Sequence, residues 1–90
     1  MTALVADRIQ RHNSKSSWYA WYKSPTWKAI KRHRLAEEPY CRCCAQEGRV
    51  VAATHVEHLE DHSGQWALFA KYENTQSLCY RHRAARRHRR

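Results

Sequence analysis

The sequence predicts a small α+β domain that cannot rest on its hydrophobic core alone. Three observations predict it. The chain has 90 residues, 42% of them hydrophobic, and a mean hydropathy of -0.95, which bounds it to one domain with little apolar surface to offset the conformational entropy lost on folding. Its 4 cysteines include two short-range arrangements, Cys41 with Cys44 and Cys79 with the nearby His82. Around them, stretches with helical periodicity alternate with β-branched ones.

Taken in order, the spacing of Leu4, Val5 and Ile9 permits a short helix within Thr2 to His12, while Asn13 to Ser17 is polar and turn-like, so residues 1–23 read as an N-terminal arm. The domain proper, residues 24–90, opens at Ser24-Pro25-Thr26-Trp27. Ser24 can cap a helix, and Pro25 fills its first position without wasting an amide donor. That helix should run to about Glu37, with Trp27, Ile30 and Leu35 broadly on one face, and Pro39 stops it. Cys41 to Cys44 reads as a tight turn, Arg49 to Thr54 as a strand and His55 to Leu59 as a second. Glu60 to Gln65 is loop, Trp66 to Tyr72 a short helix carrying Leu68 and Phe69 inward, and Asn74 opens another loop. Ser77 is the expected cap of a final helix from Leu78, whose tail from Ala84 to Arg90 frays without a polyanion.

Seventeen Lys and Arg against 8 Asp and Glu give a formal charge of +9. DNA is the expected partner, because each neutralised phosphate releases counterions and drives binding. The expected contacts are Lys28, Lys31, Arg32 and Arg34 on the first clear helix, with Arg83, Arg86 and Arg87 on the last. No membrane role is expected: the basic C-terminal segment lacks interleaved large apolar residues, and no apolar run approaches spanning length. Met1 to Gln10 shows no secretory pattern. A reducing, cytoplasmic setting follows as an expectation, and it favours metal over disulfide.

Cys41 and Cys44 in C-x-x-C spacing, with Cys79 and His82 in C-x-x-H spacing, make a four-ligand tetrahedral set of the kind Zn²⁺ takes. Cys43 is spare. With all four positions filled by protein, this zinc is structural, and any chemistry lies elsewhere.

Between the ligand pairs lie Glu57-His58, Asp61-His62 and Asn74. In order, Tyr22-Lys-Ser-Pro-Thr-Trp27, Lys31, Leu35, Pro39-Tyr-Cys41-x-x-Cys44, Gly48, Ala53-Thr-His-Val-Glu-His58, His62-Ser-Gly64, Leu68-Phe69 and Asn74-Thr-Gln-Ser-Leu-Cys79 resemble the small phage-type HNH endonucleases over about Tyr22 to Arg86. The resemblance implies a zinc-stabilised ββα-metal fold (HNH, or His-Me finger) with flanking helices, in which one divalent ion, Mg²⁺ or similar, sits over the scissile phosphate. It implies that His58 is the general base, that Glu57 is an acidic ligand to the catalytic metal, and that Asn74 orients the loop carrying the base. It further implies a metal-dependent DNA endonuclease of phage or prophage genome processing, with terminase or other packaging proteins as partners.

The departure lies at Leu78-Cys79-Tyr80-Arg81-His82-Arg83. The family commonly has a second Cys where His82 stands and a metal-binding His where Arg83 stands. Arginine keeps its proton and cannot ligate. Either His62 or another group completes the shell, or the chain is a zinc-stabilised DNA-binding or packaging-accessory module with weak or no nuclease activity. His62 itself reads equally as phosphate contact, metal ligand or solvated loop residue. His55 reads as structural, and His12, His33 and His88 as parts of basic faces. Trp18, Tyr19, Trp21 and Tyr22 could stack on bases, and read more readily as the hydrophobic cover of the knuckle.

Overall fold

A computed structural model describes the backbone over residues 14–88 and side chains over 18–86; the helix expected within Thr2 to His12 and the last two residues of the tail lie outside the described residues. The elements are α1 (Ser14–Trp21), α2 (Pro25–Glu37), α3 (Arg42–Gln46), β1 (His55–His58), α4 (Trp66–Phe69), a 3₁₀ turn (Tyr72–Asn74), β2 (Thr75–Leu78) and α5 (Tyr80–His88). Strands β1 and β2 pair antiparallel, from His55 opposite Leu78 to His58 opposite Thr75.

Helix α2 starts where its local signals put it. Ser24 Oγ accepts the Trp27 N–H at 3.2 Å and donates back to the Trp21 carbonyl at 2.6 Å, so one hydroxyl caps α2 and ties it to α1. Trp27 and Ile30 are buried. Together with Val56 and Phe69 they form one core, against which Trp21, Leu35 and Tyr72 pack. A second core gathers Cys41, Cys44, Leu78 and Cys79, flanked by Cys43 and Val51.

Four expectations change. Ser14 to Ser17 is helical rather than turn-like, because Trp18, Trp21 and Tyr22 stand at i, i+3 and i+4 and give α1 an apolar stripe to dock. That stripe covers the first core and not the knuckle: Trp21 meets Phe69 at 5.2 Å and Trp66 at 5.1 Å between ring centroids. Arg49 to Thr54 is not a strand. It runs beside Pro39 to Cys41, with Cys41 N–H on Val51 O and Ala53 N–H on Pro39 O, and forms one bridge, Tyr40 to Ala52; Pro39 has no N–H with which to extend the ladder. The partner of β1 is instead Thr75–Leu78, where the sequence suggested loop and helix cap. Ser77 lies in that strand, and α5 begins two residues beyond the expected start, at Tyr80.

Strand β2 is Thr-Gln-Ser-Leu and buried throughout, which requires partners for its polar groups. Thr75 Oγ1 donates to Tyr72 O at 2.6 Å and accepts Arg34 Nε at 3.1 Å. Glu38 bolts the strand to two helices: Oε1 accepts the Ser77 N–H at 2.8 Å and Oε2 accepts Arg42 Nε at 2.7 Å. Burial pushes the Glu38 carboxyl up, but the bonds from Arg42 and Ser77 and the charges of Arg42 and Arg34 outweigh it and hold the group below 4.5. A carboxylate depressed in the folded state stabilises above its unfolded pKa and loses that contribution as pH falls through its folded pKa. Glu38→Gln is therefore expected to destabilise by about 1–3 kcal/mol at neutral pH, and the gap to wild type should close as the pH drops below 4.5. Urea denaturation of both proteins at neutral and acid pH checks this; a gap independent of pH contradicts it.

Among the described residues, no helix is long and apolar enough to cross a membrane.

Candidate functional site

The knuckle assembles at the starts of two helices. Cys41 precedes α3, Cys44 lies within it, and Cys79 and His82 come from the start of α5. The four ligand atoms all lie within 4.8 Å of one another. His82 Nδ1 is 3.4 Å from the sulfurs of Cys41 and Cys44 and 3.5 Å from that of Cys79, and the Cys44 and Cys79 sulfurs are 3.8 Å apart. A tetrahedron with metal–sulfur bonds near 2.3 Å and metal–nitrogen bonds near 2.0–2.1 Å has edges of about 3.8 Å between sulfurs and about 3.5 Å from sulfur to nitrogen. The spacings fit that geometry. Behind the site, Glu47 Oε2 lies 3.0 Å from His82 Nε2, which turns Nδ1 toward the sulfurs.

Without a metal the three thiols do not all ionise at neutral pH. Burial raises the Cys79 pKa, but the backbone and ring N–H groups of His82, with the Cys41 and Cys44 thiols, outweigh it and bring the group down to about 6. Cys44 is pushed up to about 11, by burial first and then by its Cys41 and Cys79 neighbours. A divalent cation removes that conflict by pairing with all three thiolates at once. Cys43 lies half-buried beside the cluster, outside the ligand set.

On the other side of the sheet edge, a cleft of about 530 Å³ opens among α1, α2, β1 and α5, lined by Trp18, Tyr22, Lys31, Glu57, His58, His62 and Arg83 among others. Successive side chains of β1 point to opposite faces, so Val56 and His58 are buried while His55 and Glu57 are half-buried. The His58 ring stacks on Trp27, with centroids 4.9 Å apart and planes at 24°. Its Nε2 lies 3.0 Å from Phe69 O. A carbonyl only accepts, so Nε2 carries the ring proton and Nδ1 is the basic nitrogen.

Asn74 holds the loop that follows His58. Its Oδ1 accepts the Glu60 N–H at 2.9 Å, and its Nδ2 donates to Glu60 O at 2.9 Å and Leu68 O at 3.2 Å. The Leu59 N–H adds a bond to Asn74 O at 2.8 Å. His62 is buried against Trp18 and Phe69. Its Nδ1 accepts the Gly64 N–H at 3.0 Å, which leaves the proton on Nε2, 3.2 Å from the Tyr22 hydroxyl. The turn needs glycine at residue 64: φ is +77°, and a Cβ there would sit 2.4 Å from the Trp18 ring.

Glu57 faces α5, where Arg83 Nε donates to its Oε2 at 3.0 Å. His55 lies nearby, bonded to Thr54 at 2.8 Å; burial and then the charges of Arg83 and Lys31 lower its pKa. Glu57 and His62, the expected ligands of a second metal, both line the cleft, Glu57 against Arg83 and His62 against Tyr22 and Gly64. Apart from the knuckle, no group of three or more His, Cys, Asp or Glu side chains among the described residues gathers its ligand atoms; Glu57 is engaged by a guanidinium and both His62 nitrogens by protein groups.

The basic residues divide. Lys28, Lys31 and Arg32 are exposed on α2. Arg34 turns inward, bonded to Thr75 and to Tyr72 O at 3.2 Å and lying 4.1 Å over the Tyr72 ring. Arg86 also turns inward, donating to His58 O at 2.6 Å and Leu59 O at 2.7 Å, so it caps the end of β1 instead of facing solvent. The side chain of Arg87 lies outside the described residues. Sequence reasoning missed Trp27 as the platform beneath His58, Glu47 behind His82 and the pinning role of Arg86. Each depends on a partner more than 25 positions away, for which no local signal exists.

No protein-family model and no curated protein sequence matches the chain. Among solved structures it is similar to the HNH endonuclease of the deep-sea thermophilic bacteriophage GVE2, determined with a manganese ion: 25% identity, 91% of this chain and 95% of that one covered, and a TM-score of 0.74. The likeness runs over nearly the whole of both chains, so this chain has the ββα-metal fold of that HNH endonuclease, with a Cys/His group placed to hold a metal.

Proposed function

We propose that the chain is a DNA endonuclease that hydrolyses phosphodiester bonds, with residues 24–90 as the HNH unit, a structural Zn²⁺ in the knuckle and His58 as general base. The observation that carries this is the ring of His58, held by Trp27 and by the Phe69 carbonyl so that Nδ1 is the proton-accepting nitrogen, at a cleft that also holds Lys31 and Arg83. In this reading Nδ1 takes a proton from water, the oxygen so activated bonds to phosphorus, and one P–O ester bond breaks. An alcohol, protonated from solvent, and a phosphate monoester result. Asn74 is a positioning residue, because it fixes the loop behind His58. The setting implied by the resemblance and by the neighbour's source is phage or prophage DNA in the bacterial cytoplasm, beside packaging proteins.

A second reading, a zinc-stabilised DNA-binding module without cleavage, is favoured by the Glu57–Arg83 pair, which occupies the carboxylate expected to hold a metal. Supercoiled plasmid incubated with zinc-loaded protein separates the two. Conversion to nicked or linear DNA is expected. No conversion at protein concentrations that saturate the plasmid, with or without added Mg²⁺ or Mn²⁺, would leave the binding module.

DNA affinity should depend steeply on salt, because exposed Lys28, Lys31, Arg32 and Arg81 offer charge to phosphates rather than donors to base edges. Four such contacts give a log–log slope of about -3 to -4, and Lys28→Ala with Lys31→Ala should reduce its size by about 2. Fluorescence anisotropy with labelled duplex reads both numbers; a flat salt dependence contradicts the assignment.

A further inference from the structure

We propose that the Arg83 guanidinium, braced by Glu57, is the resident cation of the cleft and takes the place of a divalent metal, so that a DNA phosphodiester is held by Arg83 and Lys31 without Mg²⁺ or Mn²⁺. The inference rests on the reading of the cleft as a phosphodiester site and names the group that grips the phosphate.

Four features lead to it. Glu57 is the one acidic side chain on β1, and its Oε2 receives Arg83 Nε at 3.0 Å. The pair is partly buried, with side-chain exposures of 20% for Glu57 and 30% for Arg83, so solvent screens it less than a surface pair. A guanidinium that keeps its proton cannot ligate a cation, and its fixed charge beside the carboxylate repels one. Among the described residues the only set of side chains gathered for a metal is the knuckle.

The same geometry suits a phosphate. The bond to Glu57 uses the Nε–H and leaves the two terminal nitrogens, with four N–H donors in a planar fork, for an anion. Lys31, exposed on α2, lines the same cleft as Arg83. Two cations, Lys31 and Arg83, and two carboxylates, Glu57 and Asp61, line the cleft; Glu57 acts as the brace that sets the direction of the Arg83 fork. Phosphate oxygens are the ligands such a fork matches, because it can donate to two of them at once.

Two measurements on the full chain, loaded with one zinc and stripped of other metals, test the proposal. In a Mn²⁺ titration followed by the electron paramagnetic resonance of the free ion, wild type should take up no Mn²⁺ up to millimolar concentration. Arg83→His should take up one per chain, since it releases Glu57 and adds a neutral nitrogen. In buffer free of divalent ions, wild type should bind duplex DNA as tightly as with Mg²⁺, and Arg83→Gln should weaken that binding by about tenfold or more. Zinc content certifies the fold of each variant. Arg83→Lys, which keeps the charge, should still exclude Mn²⁺ if glutamine proves too disruptive. Uptake of one Mn²⁺ by zinc-loaded wild type overturns the proposal, as does undiminished divalent-free DNA affinity in Arg83→Gln. The nuclease reading fails separately: a chain that excludes Mn²⁺ and needs Arg83 for DNA but cuts no plasmid keeps this inference and loses that one. One that cuts only after taking up Mn²⁺ does the reverse.

Discussion

Replacing Cys44 with alanine is expected to empty the knuckle and unfold the domain. Cys44 is fully buried, and its sulfur lies 3.4 Å from His82 Nδ1 and 3.8 Å from the Cys79 sulfur. Its loss leaves three ligands and a void in the smaller of the two cores, which holds only Leu78 besides the cysteines as a fully buried hydrophobic residue. Structural zinc sites bind with about 10–16 kcal/mol of apparent free energy, whereas whole domains are stable by only about 5–15 kcal/mol. A chain of 90 residues with two small cores has no reserve to replace the metal. Zinc stoichiometry by native mass spectrometry, with a thermal melt by circular dichroism, reads the outcome. Cys43→Ala is the internal control: its thiol stands outside the ligand set, so zinc should remain at one per chain. A cooperative melt and one bound zinc in Cys44→Ala would rule out the knuckle as built.

The ligand pairs were legible because their spacing is local, and so was α2, because Ser24 and Pro25 carry its start in two residues. The reading of His58 and Asn74 as site residues rests on the ordered resemblance; as isolated residues, a histidine on a strand and an asparagine near a turn announce nothing. Strand β2 was not legible. Thr75 to Ser77 has none of the alternation that marks a half-buried strand, since it is buried on all sides, with Glu38 on the Ser77 N–H and Arg34 and Tyr72 on the Thr75 hydroxyl. Charge composition does not show how each cation is used: Arg34 and Arg86 are half-buried, and each donates to backbone carbonyls. Arg83 stood out in the sequence as a departure from the family, but its consequence depends on Glu57, 26 positions earlier, and needed the fold to bring the two to 3.0 Å.

His58→Ala puts the central assignment to the most direct test. Its ring is 3% exposed and packed on Trp27, so alanine leaves a cavity that costs about 2–4 kcal/mol, and the comparison belongs well below the melting temperature at matched zinc content. The substitution removes the nitrogen that accepts the proton while leaving Lys28, Lys31, Arg32 and Arg83 in place. DNA affinity should therefore hold while the single-turnover rate of plasmid cleavage falls by about 10² to 10⁴-fold. Free imidazole, which fits the cavity left behind, should restore part of that rate, a rescue that a purely structural role for His58 does not produce. Cleavage by His58→Ala at the wild-type rate, with one zinc bound, would contradict the assignment of His58 as the base.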